Sequence, residues 1–215
     1  MIREPELKQL FEKYPSLTGL KTAINEAVRA IINCYSRGGK LLICGNGGSS
    51  ADAGHMVAEL MKGFEIPRPL ERSFRERLIK LYGKRGGYLA EKLEHGLPAI
   101  SLSSHSALTT AISNDTDADL IFAQQVISYG NEKDILIAIS TSGNSQNVVD
   151  ACITAKAMNM KIIGISGKNG GKMKNYCDTL INVPESGTAY IQEMQRPVLH
   201  TICRIIENHF YGNNK

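Results

Sequence analysis

Apolar positions along the chain follow two rhythms. From Leu20 to Tyr35 they fall at Leu20, Ala23, Ile24, Ala27, Val28, Ile31 and Ile32, the i, i+3, i+4, i+7 spacing of one buried helix face. The spacing predicts an N-terminal helix within about residues 18–37, closed by Gly38 and Gly39. KLLICG follows with no polar alternation and stops at Gly45, as expected for a strand buried on both faces of a parallel sheet. Ser49–Met61 returns to helical character. The alternation then continues with LPAISLS as strand, Ala118–Tyr129 as helix, DILIAIS as strand, Asn147–Met158 as helix, KIIGIS as strand, TLINV as a fifth strand and Ile191–Phe210 as a closing helix. Strands alternating with helices imply right-handed crossovers and a parallel sheet covered on both faces, an α/β fold. Ligands of such sheets bind beyond the carboxyl ends of the strands, so the loops that follow strands are where chemistry is expected.

One stretch breaks the rhythm. Residues 71–96, ERSFRERLIKLYGKRGGYLAEKLEHG, lie where a short connection would suffice. Seven Lys and Arg against four Glu suggest a basic arm, but Leu78, Leu81, Tyr82, Leu89 and Leu93 recur at helical spacing, which favours a solvated helical insertion. The whole chain, 1–215, reads as a single domain that includes the insertion, because 215 residues with 42% apolar and 21% charged positions can bury one core. A net charge of +4, spread along the chain, does not call for nucleic acid and suits a small anion. The five cysteines (Cys34, Cys44, Cys152, Cys177, Cys203) include no C-x-x-C pair and read as small core residues of a reducing compartment. The N-terminal MIREPELKQLFEKYP lacks a leader's apolar stretch, and no run reaches the roughly 18 apolar residues of a membrane span, so a cytoplasmic protein without a membrane partner is expected.

Two loops after strands are suited to an anion. Gly45-Asn46-Gly47-Gly48-Ser49-Ser50 joins a strand to a helix, where free backbone N–H groups and the positive helix end attract negative charge. It matches neither the G-x-G-x-x-G dinucleotide fingerprint nor the P-loop, so NAD and ATP are not indicated. Ser140-Thr141-Ser142-Gly143-Asn144-Ser145 also opens a helix and offers four hydroxyls. Either loop alone equally fits a tight turn with serine caps; the pair points to phosphate. GKNGGK at Gly167–Lys172 reads mainly as a turn.

His55 and Glu59 stand four apart in the helix leaving the first loop, on one face. Gln192 and His200 stand eight apart, which spreads them over roughly 12 Å of rise and about 80° of rotation, too far for one straight helix to bring both to one ion. Pro197 between them is expected to kink the segment. A bent segment or a site shared between subunits follows if both serve.

Taken together, CGNGGSSADAGH with Glu59, the Asn114-Asp115 pair, ISTSGNS, and IQE followed by His200 resemble the SIS (sugar isomerase) domain family, and within it the phosphoheptose isomerases. The resemblance runs from about Thr22 to Glu207 apart from the insertion. It implies a three-layer α/β/α sandwich with a flavodoxin-like parallel sheet, a homotetramer with sites between subunits, and one zinc per subunit. It implies aldose–ketose isomerisation of sedoheptulose 7-phosphate to D-glycero-D-manno-heptose 7-phosphate through an ene-diol, in heptose precursor biosynthesis. By residue, the resemblance assigns His55, Glu59, Gln192 and His200 to the metal and Glu59 with His200 to acid–base catalysis. It assigns Asn46, Gly47, Gly48, Ser49, Asn114, Asp115, Ser140, Thr141, Ser142, Ser145 and Gln192 to substrate. The chain departs from the family at Gly63, where an Arg is common, and at Ala189-Tyr190, in place of an Asp-Arg pair. Two other readings are an isomerase of another sugar phosphate and a non-catalytic SIS regulator that binds a sugar phosphate or a replication initiator. Such regulators tend to lose the Glu and the final His, and both are kept here.

Overall fold

A computed structural model describes residues 5–212. In chain order the elements are α1 (Pro5–Lys13), a 3₁₀ turn (Pro15–Leu20), α2 (Lys21–Ser36), β1 (Leu41–Gly45), α3 (Gly48–Met61), α4 (Arg72–Lys92), β2 (Ala99–Ser101) and α5 (Ser106–Asp115). There follow α6 (Ala123–Tyr129), β3 (Ile135–Ile139), α7 (Gln146–Ala157), β4 (Lys161–Ser166), β5 (Thr179–Asn182) and α8 (Thr188–Tyr211). All five strands are parallel and lie in the order β2-β1-β3-β4-β5. That is the flavodoxin-like order, with its switch point between β1 and β3.

The unbroken apolar runs behave as their lack of alternation predicted. Leu41, Ile43, Ile135, Ile137 and Ile139 point into one core with α1, α2, α3 and α8. Leu42, Cys44, Leu136 and Ala138 point into a second with α7 and the Phe122–Val126 segment. Alternate side chains of one strand thus enter opposite layers, and both faces of the sheet are dry.

Several boundaries differ from the sequence expectations. The segment 118–129 is a 3₁₀ turn (Ala118–Leu120) followed by the short α6, because Asp117 caps the turn by accepting from Asp119 N–H at 2.8 Å. Two helices had no strong periodic signal: α1, whose Leu7 and Leu10 are buried under the larger core, and α5, which buries only Ile112. The insertion, labelled α4, is a pair of helices that meet at a kink at Gly83 (φ 53°, ψ −129°). Its ends are drawn together by an antiparallel bridge between Pro69 and Glu94. Pro197 does not break α8, which runs as a helix from Thr188 to Tyr211. The cysteines are free, four of them buried, as the spacing suggested.

Candidate active site

Both anion loops lie at the switch point, because Gly45 of β1 is in register with Ile139 of β3. In the first loop Gly47 adopts φ 53° and ψ −119°, a backbone state that only glycine tolerates. A Cβ on Gly48 would run into the side-chain amide of Gln192, so this glycine is what lets α8 approach the loop. Asn46 and Asn147 exchange side-chain hydrogen bonds at 2.8 and 3.1 Å, tying the first loop to the start of α7. In the second loop the Ser140 hydroxyl accepts from Gly143 N–H at 3.2 Å and lies 3.2 Å from the Ser145 hydroxyl. The GKNGGK segment does more than turn. Gly167 N–H donates to Thr141 O at 3.0 Å, Met173 N–H to Gly143 O at 2.9 Å and Lys172 N–H to the Asn144 side chain at 3.0 Å. It braces the serine loop from behind.

Packing of α3 against α8 brings together residues that the sequence keeps 141 to 145 positions apart. His55 Nε2 and His200 Nε2 lie 2.7 Å apart, and His55 Nε2 is 3.5 Å from Glu59 Oε1. At that separation one imidazole donates and the other accepts. Burial, and next the neighbouring His55, hold the His200 imidazolium below the ordinary histidine range, so the neutral ring is favoured. The Phe64 ring covers the other side of His200, with centroids 5.7 Å apart. Glu59 keeps only 13% of its side chain exposed.

What holds Glu59 in place is a buried ion pair that sequence reading missed. The Arg68 guanidinium donates to Leu60 O at 2.6 Å and Glu59 O at 3.1 Å, capping the last carbonyls of α3. It is paired at 2.8 Å with Glu207 Oε1, the two side chains being 0% and 1% exposed. The Glu207 carboxylate in turn accepts from Phe64, Glu65 and Ile66 N–H at 2.8, 2.9 and 3.2 Å. A signal existed: Glu207 continues the apolar stripe of Leu199, Ile202, Cys203 and Ile206, and a carboxylate on such a stripe needs a buried partner.

A cleft of about 730 Å³ opens beside these groups, lined among others by Gly48, Asp52, Gln192, Arg196 and His200. Gln192 and His200 therefore line one cleft from one uninterrupted helix. Asn114 and Asp115 lie at the exposed end of α5, and Asn114 donates to Asp115 Oδ1 at 2.8 Å. No hydrogen bond joins their side chains to the other candidates among the described residues. Nor do three His, Cys, Asp or Glu side chains stand in a closed metal-holding group there.

A parallel sheet with two anion loops at its switch point, and a carboxylate and two imidazoles beside them, defines an α/β protein built to bind a small anion and move protons next to it. The SIS domain family profile matches residues 8–76 and 78–167, and the chain belongs to that family. Phosphoheptose isomerase 1 of Campylobacter jejuni is 41% identical over 191 residues, 89% of this chain and 89% of the relative. A phosphoheptose isomerase of Helicobacter pylori is 39% identical over 207 residues, 96% of this chain and 93% of the relative. Among solved structures, phosphoheptose isomerase GmhA of Neisseria gonorrhoeae superposes with a TM-score of 0.73 at 31% identity, covering 94% of this chain and 95% of that one.

Proposed function

We propose that this chain is an aldose–ketose isomerase interconverting sedoheptulose 7-phosphate and D-glycero-D-manno-heptose 7-phosphate, a step in heptose precursor synthesis. The observation that carries the reading is the meeting of Glu59 and His200 at His55 Nε2, beside the helix that leaves the first glycine loop. Relatives named for this activity align over nearly the whole chain.

The chemistry follows from the groups present. Hydroxyls and N–H donors of Ser140–Ser145, with the loop at Asn46–Ser49, take the phosphate and fix the sugar's register. Glu59 removes the C1 proton of the open-chain ketose; the electron pair becomes the C1–C2 double bond and charge moves to O2. His200, favoured as the neutral ring, accepts the O1 proton and donates to O2. Return of the Glu59 proton to C2 gives the aldose. The enclosure of Glu59 limits water's access to that proton.

The donor set also suits zinc. His55 Nε2, His200 Nε2 and Glu59 Oε1 lie within reach of one another, giving two imidazoles and a carboxylate, while Gln192, two helical turns from His200 on α8, would complete the set from a neighbouring subunit. The 2.7 Å between the two nitrogens is a hydrogen-bond spacing, closer than two imidazoles sit on one tetrahedral ion. Loading with zinc therefore entails a small separation of the rings. Zinc, when bound, supplies a Lewis acid for the substrate carbonyl. One zinc per subunit, a cytoplasmic homotetramer with sites between subunits, and no nucleic acid partner complete the proposal. Among the described residues no helix is long and apolar enough to cross a membrane.

The test is to incubate metal-analysed protein with sedoheptulose 7-phosphate and follow aldose formation by NMR. E59Q and H200Q are expected to lose on the order of 10²- to 10⁴-fold in kcat, and H55Q to lower the zinc bound per subunit. Tight sugar-phosphate binding with no turnover by the unaltered protein would replace this reading with that of a binding module. Light scattering reads the assembly, and a monomer with full activity would rule out shared sites.

A further inference from the structure

Between Gln192 and His200 on α8 stands Arg196, four residues from each and therefore on the same side of the helix. Its side chain lines the same cleft as both. Nη2 of Arg196 donates to Asp52 Oδ1 at 2.6 Å, from α8 to α3. The two partners differ sharply in exposure: 3% for the Asp52 side chain and 49% for that of Arg196. The carboxylate is buried, and the guanidinium reaches out of the wall into the open space.

A guanidinium has five N–H donors in a rigid fork, and among the described residues this one bonds only to Asp52. The side chain is half-exposed at a cleft to which the first glycine loop contributes Gly48 and no charge. The pair keeps the buried Asp52 carboxylate from being left without a cation, but stability alone does not require a guanidinium fork half-open to the cleft. What it does is aim. Asp52 fixes one arm of the fork, so the others are held in place before any ligand arrives.

We propose that Arg196 is a substrate-contacting residue of this site, donating to the sugar oxygens at the reacting end and stabilising the negative charge that develops there. The inference rests on the isomerase reading. When the C1–H bond breaks and the proton passes to Glu59, the electron pair forms C1=C2 and charge accumulates on O2 until it is protonated. Arg196 never titrates in the working range, so it stabilises this charge by hydrogen bonding without giving up a proton. Asp52 acts through Arg196 and is a positioning residue.

The experiment compares unaltered protein with R196A, R196K and D52N on sedoheptulose 7-phosphate, with kcat and KM separated and each variant's melting temperature recorded. R196A is expected to lose about 10²- to 10³-fold in kcat, with a far smaller change in KM; its melting temperature falls because buried Asp52 loses its cation, so kcat is read well below that temperature. R196K recovers part of the loss, since it keeps the charge but not the fork. Free guanidinium ion at millimolar concentration restores turnover to R196A, an effect no merely structural role would produce. An active unaltered protein with R196A within twofold of it in kcat overturns the inference alone. So does a loss in R196A that neither guanidinium nor the lysine variant relieves. Unaltered protein with no turnover overturns the isomerase reading, and this inference with it.

Discussion

At the scale of single residues, Arg68 and Glu207 show how a buried charge pair can be indispensable. In many proteins such a pair can be exchanged for apolar side chains at little cost, while removal of one partner is severe. Here the pair also satisfies backbone groups: the Glu59 carbonyl and three N–H groups of residues 64–66, with the Leu60 carbonyl shared with Leu97 N–H. E207Q, which strands the guanidinium, is expected to destabilise by about 3–5 kcal/mol. The double variant R68M/E207L is expected to remain destabilised by about 3 kcal/mol or more, since each orphaned backbone group costs about 1–3 kcal/mol. Urea denaturation of both decides the point, and a double variant as stable as the parent would show the pair to be dispensable. Because Arg68 holds the Glu59 carbonyl, any folded variant should also lose kcat before KM.

At the scale of elements, the inserted α4 is held at its bend and at its base. Gly83 sits at φ 53° and ψ −129°, where a side chain adds strain of about 1–3 kcal/mol. G83A is therefore expected to speed amide exchange across 72–92 while leaving the sheet's protection unchanged. At the base, the Glu94 carboxylate accepts from Gly63 N–H at 2.9 Å and Arg68 N–H at 3.1 Å. These bonds, led by that from Gly63, hold its carboxyl below the ordinary range. A depressed folded pKa contributes stability above the unfolded value, and the contribution fades as pH falls through the folded one. Exchange at Gly63 and Arg68 should accordingly be slower in the parent than in E94Q near neutrality, and the two should converge only once pH falls below the ordinary carboxylate range. A constant difference across that range would remove Glu94 from the account.

At the scale of the whole molecule, the arm is an addition to a sheet that does not need it. Pro69 and Glu94 form a bridge, and His95 N–H donates to Arg68 O at 2.8 Å, so the ends of the insertion already meet. Replacing residues 71–92 with a short glycine-serine turn should leave the melting temperature close to that of the parent and lower the helical circular dichroism only by the share of the removed helix. Preserved fold with lost turnover would assign the arm to the site or to the assembly that completes it. Much of this architecture was legible in the chain. Apolar runs without alternation specify strands buried on both faces, and glycines after strands mark backbone that turns sharply or is closely approached, as Gly48 is by Gln192; both are local signals. His55 with Glu59 was legible for the same reason, being one helical turn apart. Strand order, the packing of α3 on α8, and through it the contacts of His200 with His55, Arg196 with Asp52 and Arg68 with Glu207, were decided only by tertiary structure. Each of those joins groups more than 130 residues apart, and no periodicity within one element can encode which face of a distant helix it will meet.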